Sequence, residues 1–372
     1  MLPMMMVRKI RYREKRSHHL LTYTFGIPCV LGYYLLCWFF LFFFIKFINI
    51  RYKYHPMKLI YNDIFKKHDT GMHPENAKRL SFLTESEEVP SGEGYLTLYH
   101  TKEYIEKVKE ACANGASLDP DTVTSKDSYE AAIRAVGATI VASENNDFAI
   151  VRPPGHHAHP DSSSGFCIFN NIAIAVQKLM EEGKKVLLLD IDGHLGDGTL
   201  KFFYDKDKVL YWSLHQFPAF PGGGDVGQIG EDKGMGYTIC VPLPPGSADD
   251  IYRKAFDKFL PIARSFKPDV VAVSAGFDAH QYDLLLDLKL TVDTFHWIGA
   301  RLKENFTNVF ATLEGGYSIE MLPKCLYNFL DGINGKEKRY TERSTESMIQ
   351  VMDEYEARVY LLEKNLSSFW RI

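Results

Sequence analysis

From residue 57 onward the chain alternates short, almost wholly apolar runs with helix-like stretches, and this alternation limits the possible folds more than any other feature. The runs are "MKLIYND" (57–63), "FAIV" (148–151), "KVLLLDID" (185–192), "KVLYWSLH" (208–215), "DVVAVSAGFD" (269–278) and "NVFATLEGGY" (308–317). Apolar runs of this length are expected of strands covered on both faces. Helical patterns fall between them at 128–144, 170–183, 249–266, 291–305 and 319–333. The alternation predicts an α/β fold: a single domain with a mainly parallel sheet flanked by helices. In such sheets ligands bind outside the carboxyl ends of the strands. Four strand ends run into polar clusters, "RPPGHH", "DIDGHLGDGT", "FDAH" and "EGGY", so chemistry is expected along one edge of the sheet.

The remaining composition narrows the classes. A formal net charge of -4 carries no electrostatic footprint for nucleic acid, and no direct nucleic-acid binding is expected. The six cysteines contain no C-x-x-C pair, which argues against a zinc ribbon or a disulfide framework. Residues 1–56 stand apart: a basic stretch, "RKIRYREKR" (8–16), precedes Leu20 to Ile45, which hold no charged residue. That run is long enough for a membrane anchor, with six Lys/Arg before it favouring a cytoplasmic leading end. The alternative is an upstream extension not made in the cell, since Met57 opens the first strand. The catalytic part is then expected in the cytoplasm without the leader, or membrane-anchored with it. The domain is read as 57–335, with 336–372 a helical tail packing back on it through Met348, Val351, Met352, Tyr355, Val359 and Leu362.

Within "DIDGHLGD", an extended segment points residues i, i+2 and i+4 to one face, which groups Asp190, Asp192 and His194. Burying two carboxylates together is costly without a cation. Asp278, from another strand end, completes an Asp-His-Asp set with an open position, the pattern of a catalytic zinc site; Fe(II) suits the same donors. Water acidified by such a metal needs a base, and a departing amine needs an acid. His156 and His157 in "RPPGHHAHPDSSSGF" (152–166) can serve, each oriented by a carboxylate not needed for the metal, Asp190 or Asp197. Tyr317, after two glycines that let the backbone approach, can donate to a carbonyl becoming an oxyanion.

The motifs "HDTGMHPENAKRL" (68–80), "SYEAAIRAVGAT" (128–139), "RPPGHHAHPDSSSGFCIFNNIAIA" (152–175), "DIDGHLGDGT" (190–199), "SLHQFPAFPGGGDVGQIGEDKGMGYTICVPL" (213–243), "SAGFDAH" (274–280) and "LEGGY" (313–317) run in order over residues 58–335. They make the chain resemble the histone deacetylase superfamily, nearer its class II and prokaryotic branch, which includes acetylpolyamine amidohydrolases. The resemblance implies zinc on Asp192, His194 and Asp278, proton transfer by His156 and His157 backed by Asp190 and Asp197, and Tyr317 polarising an acetyl carbonyl. It implies Phe166 and Phe220 as walls of a tube for acetyl-lysine, with Gly165 at its base. It also implies potassium on Asp190, Asp192, His194, Ser213 and Leu214, and a second potassium on Phe203, Val209 and Tyr237. His159 lies outside the motif core and is expected to be a solvated loop residue.

The sequence departs from relatives in two places. Leu195 replaces a second histidine that is not a ligand, and "YDLLLDLKLT" (282–291) makes the loop near the mouth more apolar, with Leu290 expected to line the pocket. Asp119 and Asp121 are equal candidates for gripping the substrate backbone. The expected activity is a metal-dependent amidohydrolase acting on acetyl-lysine in proteins or peptides. An acetylated polyamine is the nearest alternative substrate, and an inactive acyl-lysine binding module or an arginase-like two-metal hydrolase are the remoter ones.

Overall fold

Apolar runs become buried strands, and helices fill the intervals. The computed structural model describes residues 55–371. The expected anchor at 20–45, with the leader through residue 54, lies outside the described residues; among those described, no helix is long and apolar enough to cross a membrane. The strands are β1 (Leu59–Ile60), β2 (Phe148–Ala149), β3 (Val186–Asp190), β4 (Val209–Gln216), β5 (Thr238–Leu243), β6 (Val270–Ala275) and β7 (Val309–Leu313). They form one sheet in the order β1-β2-β7-β6-β3-β4-β5, and every pairing is parallel. From β2 onward every strand residue is buried, which is why these segments carry no polar alternation.

The connecting helices are α1 (Ile64–Lys67), α2 (Lys102–Asn114), α3 (Ser128–Asn145), α4 (Asn171–Glu181), α5 (Asp197–Phe203), α6 (Asp249–Phe266), α7 (Val292–Asn305), α8 (Leu322–Ile333) and α9 (Ile349–Leu366). Local chemistry sets several ends. The Thr101 and Asn170 side chains accept from Tyr104 N and Ala173 N, capping α2 and α4, and Gly115 closes α2 in the left-handed conformation.

From β3 the chain moves outward to β4 and β5, then returns to the other side of β3 for β6 and β7. Strand order therefore reverses between β3 and β6, the position at which parallel sheets open a ligand crevice. Asp190 ends β3 and Asp278 follows β6, so both polar clusters enter that crevice.

Two features were not anticipated. Strand β5 carries Pro242, which a central ladder would not tolerate; it is an edge strand paired to β4 alone, where proline is permitted. The tail helix α9 buries Val351, Tyr355, Val359, Leu362 and Leu366, but Met348 is the residue before its first turn and is 63% exposed, so it does not share the packed face.

Candidate active site

At the end of β3 the chain leaves the ladder, and its next carboxylate and imidazole turn toward the segment after β6. Asp192, His194 and Asp278 are all buried, with one potential ligand atom from each lying within 4.8 Å of the others. His194 Nδ1 is 2.7 Å from Asp278 Oδ2 and 3.3 Å from Asp192 Oδ1. Backbone N–H groups anchor both carboxylates: Gly193 N donates to Asp278 at 2.7 Å and Gly315 N to Asp192 at 2.7 Å. Burial and the adjacent Asp192 charge push the Asp278 carboxyl up to about 7, against the opposing pull of His194. Two carboxylates and one imidazole packed this closely and out of water are electrostatically incomplete without a cation. The approach is tight: a Cβ on Gly276 would sit 1.8 Å from Asp192 Oδ2, so only glycine leaves the carboxylate its place. An O,O,N donor set of this kind fits a divalent metal.

Facing this set are the two histidines of the loop after β2. His156 Nδ1 lies 3.2 Å from Asp190 Oδ2, and its Nε2 is 3.9 Å from Asp192 Oδ2. His157 Nδ1 lies 2.8 Å from Asp197 Oδ1, with Asp197 at the first position of α5. The imidazole rings lie 4.0 Å apart between centroids, tilted by 48°. Their surroundings push them in opposite directions. Burial works against charge on His156, but the carboxylates of Asp192, Asp190 and Glu314 outweigh it and hold its pKa well above the usual histidine value. Burial and the neighbouring His156 bring His157 down to about 4 despite Asp197.

Tyr317 follows β7 on the "EGGY" turn. Its backbone N donates to Asp283 Oδ2 at 2.6 Å, and Ser318 N donates to the same oxygen at 3.0 Å. The other Asp283 oxygen receives Leu284 N and Leu285 N at 2.8 and 3.4 Å, so one buried carboxylate ties the tyrosine turn to the 284–286 loop. Beneath the tyrosine ring lies Arg79, 5.0 Å from its centroid, donating to the carbonyls of Gly316 and Glu314 at 2.7 and 2.6 Å. Glu75 receives both Arg79 at 2.9 Å and Arg152 at 2.5 Å, and the two arginines hold its carboxyl far below the usual range in spite of its burial. Glu314 accepts from Gly155 N at 2.7 Å and His156 N at 3.1 Å, which fixes the backbone of the histidine pair. Sequence reading gave none of Glu75, Arg79, Arg152, Asp283 or Glu314 a role, although charged residues inside otherwise apolar motifs are a signal of buried pairing.

The walls come from loops. Phe166 meets Tyr317 edge-on at 5.6 Å, and Phe220, 49% exposed, meets His157 at 5.2 Å and His194 at 6.4 Å. Gly165, at φ +51°, lies between them and His157; a Cβ there would come 2.5 Å from the imidazole. Asp119 accepts from Ser163 Oγ at 2.5 Å beside the Phe166 loop, whereas Asp121 is exposed. Ser213 stands opposite Asp190 in the β3/β4 register, with Leu214 next to it. Phe203 ends α5, Val209 opens β4, and Tyr237 O accepts from Tyr211 N at 3.0 Å.

One expectation is corrected. His159 is no free surface residue: its Nε2 lies 2.9 Å from Asp197 Oδ2, so Asp197 serves two imidazoles. Leu290 is fully buried in the hydrophobic core, with its backbone bonded to Ala279 and Gln281. The preceding loop also reaches the site, with Leu286 packed against Gly193.

Residues 64–333 match the family described as the histone deacetylase domain. The chain belongs to the histone deacetylase family. A probable deacetylase of Archaeoglobus fulgidus is 35% identical over 292 residues, covering 70% of this chain and 81% of that protein. A histone deacetylase-like amidohydrolase of Pseudomonas aeruginosa is 35% identical over 263 residues, 66% of this chain and 69% of its own length. Among solved structures, the HDA15 HD domain superposes with a TM-score of 0.76 at 26% identity, covering 84% of this chain and 98% of that one. As a member of this family the chain is a hydrolase, built on the family's parallel sheet.

Proposed function

We propose that this hydrolase removes the acetyl group from acetyl-lysine in proteins or peptides, with Asp192, His194 and Asp278 holding the catalytic metal. The observation that carries the reading is the juxtaposition of that buried acidic set with two carboxylate-backed histidines and Tyr317. A divalent cation there, zinc or ferrous iron by its donors, would polarise the amide carbonyl and acidify the attacking water. His157, neutral at pH 7 because burial and His156 lower its pKa, accepts a proton at Nε2 while Asp197 fixes Nδ1, and then passes that proton to the departing amine. His156, paired to Asp190, stabilises the negative charge that develops beside it. Tyr317 donates its O–H to the carbonyl oxygen as that oxygen gains charge. Asp190, Asp192, His194, Ser213 and Leu214 would hold a potassium ion offsetting the carboxylate excess, and Phe203, Val209 and Tyr237 a second one.

Phe166 and Phe220 form an aromatic passage suited to the apolar stem of an acylated lysine, with Gly165 leaving room at its base. Leu284 and Leu285, both exposed, sit on the loop that Asp283 ties to the Tyr317 turn, an apolar rim that suits a peptide better than a polycationic amine. The test is hydrolysis of a fluorogenic acetyl-lysine peptide beside acetylated putrescine, with zinc supplied and the Tyr317→Phe variant as control. Turnover of the peptide, lowered about a hundredfold or more by the variant, is expected. Turnover of the polyamine alone would transfer the chemistry to that substrate; turnover of neither, with metal bound, would overturn the reading.

A further inference from the structure

The family match ends at residue 333, yet α9 and the residues after it reach back to the active-site wall. Arg358 Nη1 donates to Phe217 O at 2.6 Å and to Pro242 O at 3.1 Å, and its guanidinium lies over the Phe217 ring. Asn365 Nδ2 donates to Val226 O at 2.8 Å, and Trp370 Nε1 donates to Gly236 O at 2.6 Å. These contacts fall at the start, middle and end of the glycine-rich loop 217–236, whose Phe220 stands edge-on to His157 and His194. The helix that supplies Arg358 and Asn365, and that Trp370 follows, is itself held by five buried residues and flanked by the ion pairs Lys254–Glu356 and Lys258–Glu363. A loop so rich in glycine gains little definition from its own sequence. From within, His215 Nε2 meets Gly224 O at 3.0 Å.

We infer that the C-terminal segment is a clamp on the Phe220 wall, with Arg358, Asn365 and Trp370 as positioning residues for substrate binding. The inference rests on the proposed reading of Phe220 as a wall of the acetyl-lysine passage. Arg358 satisfies carbonyls of both the wall loop and the edge strand β5, so its loss releases the loop next to Phe220 while leaving the catalytic floor in place.

The test uses the full chain supplied with zinc and the Arg358→Ala and Arg358→Lys variants, read by steady-state kinetics and by hydrogen–deuterium exchange. Arg358→Ala is expected to raise KM for an acetyl-lysine peptide about five- to tenfold with kcat within about twofold, and Arg358→Lys to restore most of the affinity. Exchange in 217–236 should rise in the alanine variant while β3 and β6 keep wild-type protection. If Arg358→Ala does not fold, Asn365→Leu, which nearly keeps the side chain's size and removes its N–H donor to Val226 O, carries the same two readouts. Wild-type KM with wild-type loop exchange, or a fall in kcat without change in the loop, would overturn the clamp. A wild-type protein that hydrolyses no acetylated amine would overturn the proposed function instead, and loop exchange alone would then decide the clamp.

Discussion

The floor of the site and its walls are built by different rules. On the floor, Asp190, Asp192, His156, Asp278 and Glu314 are each at most 2% exposed, and strand ends and neighbouring backbone N–H groups determine where they sit. The walls are loops in which Phe166 is half-buried and Phe220 half-exposed, placed by contacts from distant segments. A floor of buried charge tolerates almost no substitution, because each group is another's counter-charge or hydrogen-bond partner. Walls of exposed apolar side chains can change at small cost and so are free to set specificity.

The sharpest way to break this contrast is Asp278→Asn. Removing one carboxylate from the proposed metal set should lower amide hydrolysis about a thousandfold or more and abolish tight zinc binding, read by metal analysis after dialysis. Retained metal and activity would mean that Asp278 is not a ligand. Asp283→Asn probes the junction between floor and wall, since its carboxylate receives four backbone N–H groups and one amide oxygen cannot. A fall in kcat of about tenfold, with smaller change in KM and intact circular dichroism, is expected.

How much of this was legible from residues alone follows the same division. The doubly covered strands could be read because burial on both faces writes an apolar run, as in "KVLLL", and the floor because polar residues stand abruptly at the ends of such runs. Strand β5 escaped because it begins directly after the glycine-rich loop and carries Pro242. Arg79 pairs with Glu314 and Gly316 across 235 and 237 residues, and Arg358 with Phe217 across 141; no local period encodes such contacts. His159 was assigned wrongly because side-chain direction in an irregular loop is not fixed by any repeat.

Acid tests the interior on another axis. Burial lowers the pKa of His68 and His215 to about 4 and of His100 to about 3, so these imidazoles are neutral when folded. Between those values and about 6.5 the unfolded chain binds protons that the folded chain does not. The contribution of these three imidazoles is therefore full above about pH 6.5 and is lost as pH drops toward about 4, against the opposite contribution of the raised Asp278 and Glu314 carboxyls; replacing His215 by Gln should make the urea midpoint fall less over that window than in the wild type. The same pH dependence in wild type and variant would show that His215 is charged or solvated in the folded chain.

The smallest effect belongs to the rim. Leu285 is exposed and its backbone is tied through Asp283 to Tyr317. Leu285→Glu should shift kcat/KM by about two- to fivefold toward acetylated putrescine relative to the acetyl-lysine peptide, and less at high salt. An equal change for both substrates would remove the rim from specificity.

The most direct test of the central claim is zinc titration of chelator-treated protein while acetyl-lysine hydrolysis is followed. The account predicts an inactive apoprotein whose activity returns in proportion to zinc and saturates near one equivalent per chain. Full activity in the metal-free protein, or zinc bound at Asp192, His194 and Asp278 with no hydrolysis of any acetylated amine, would contradict it.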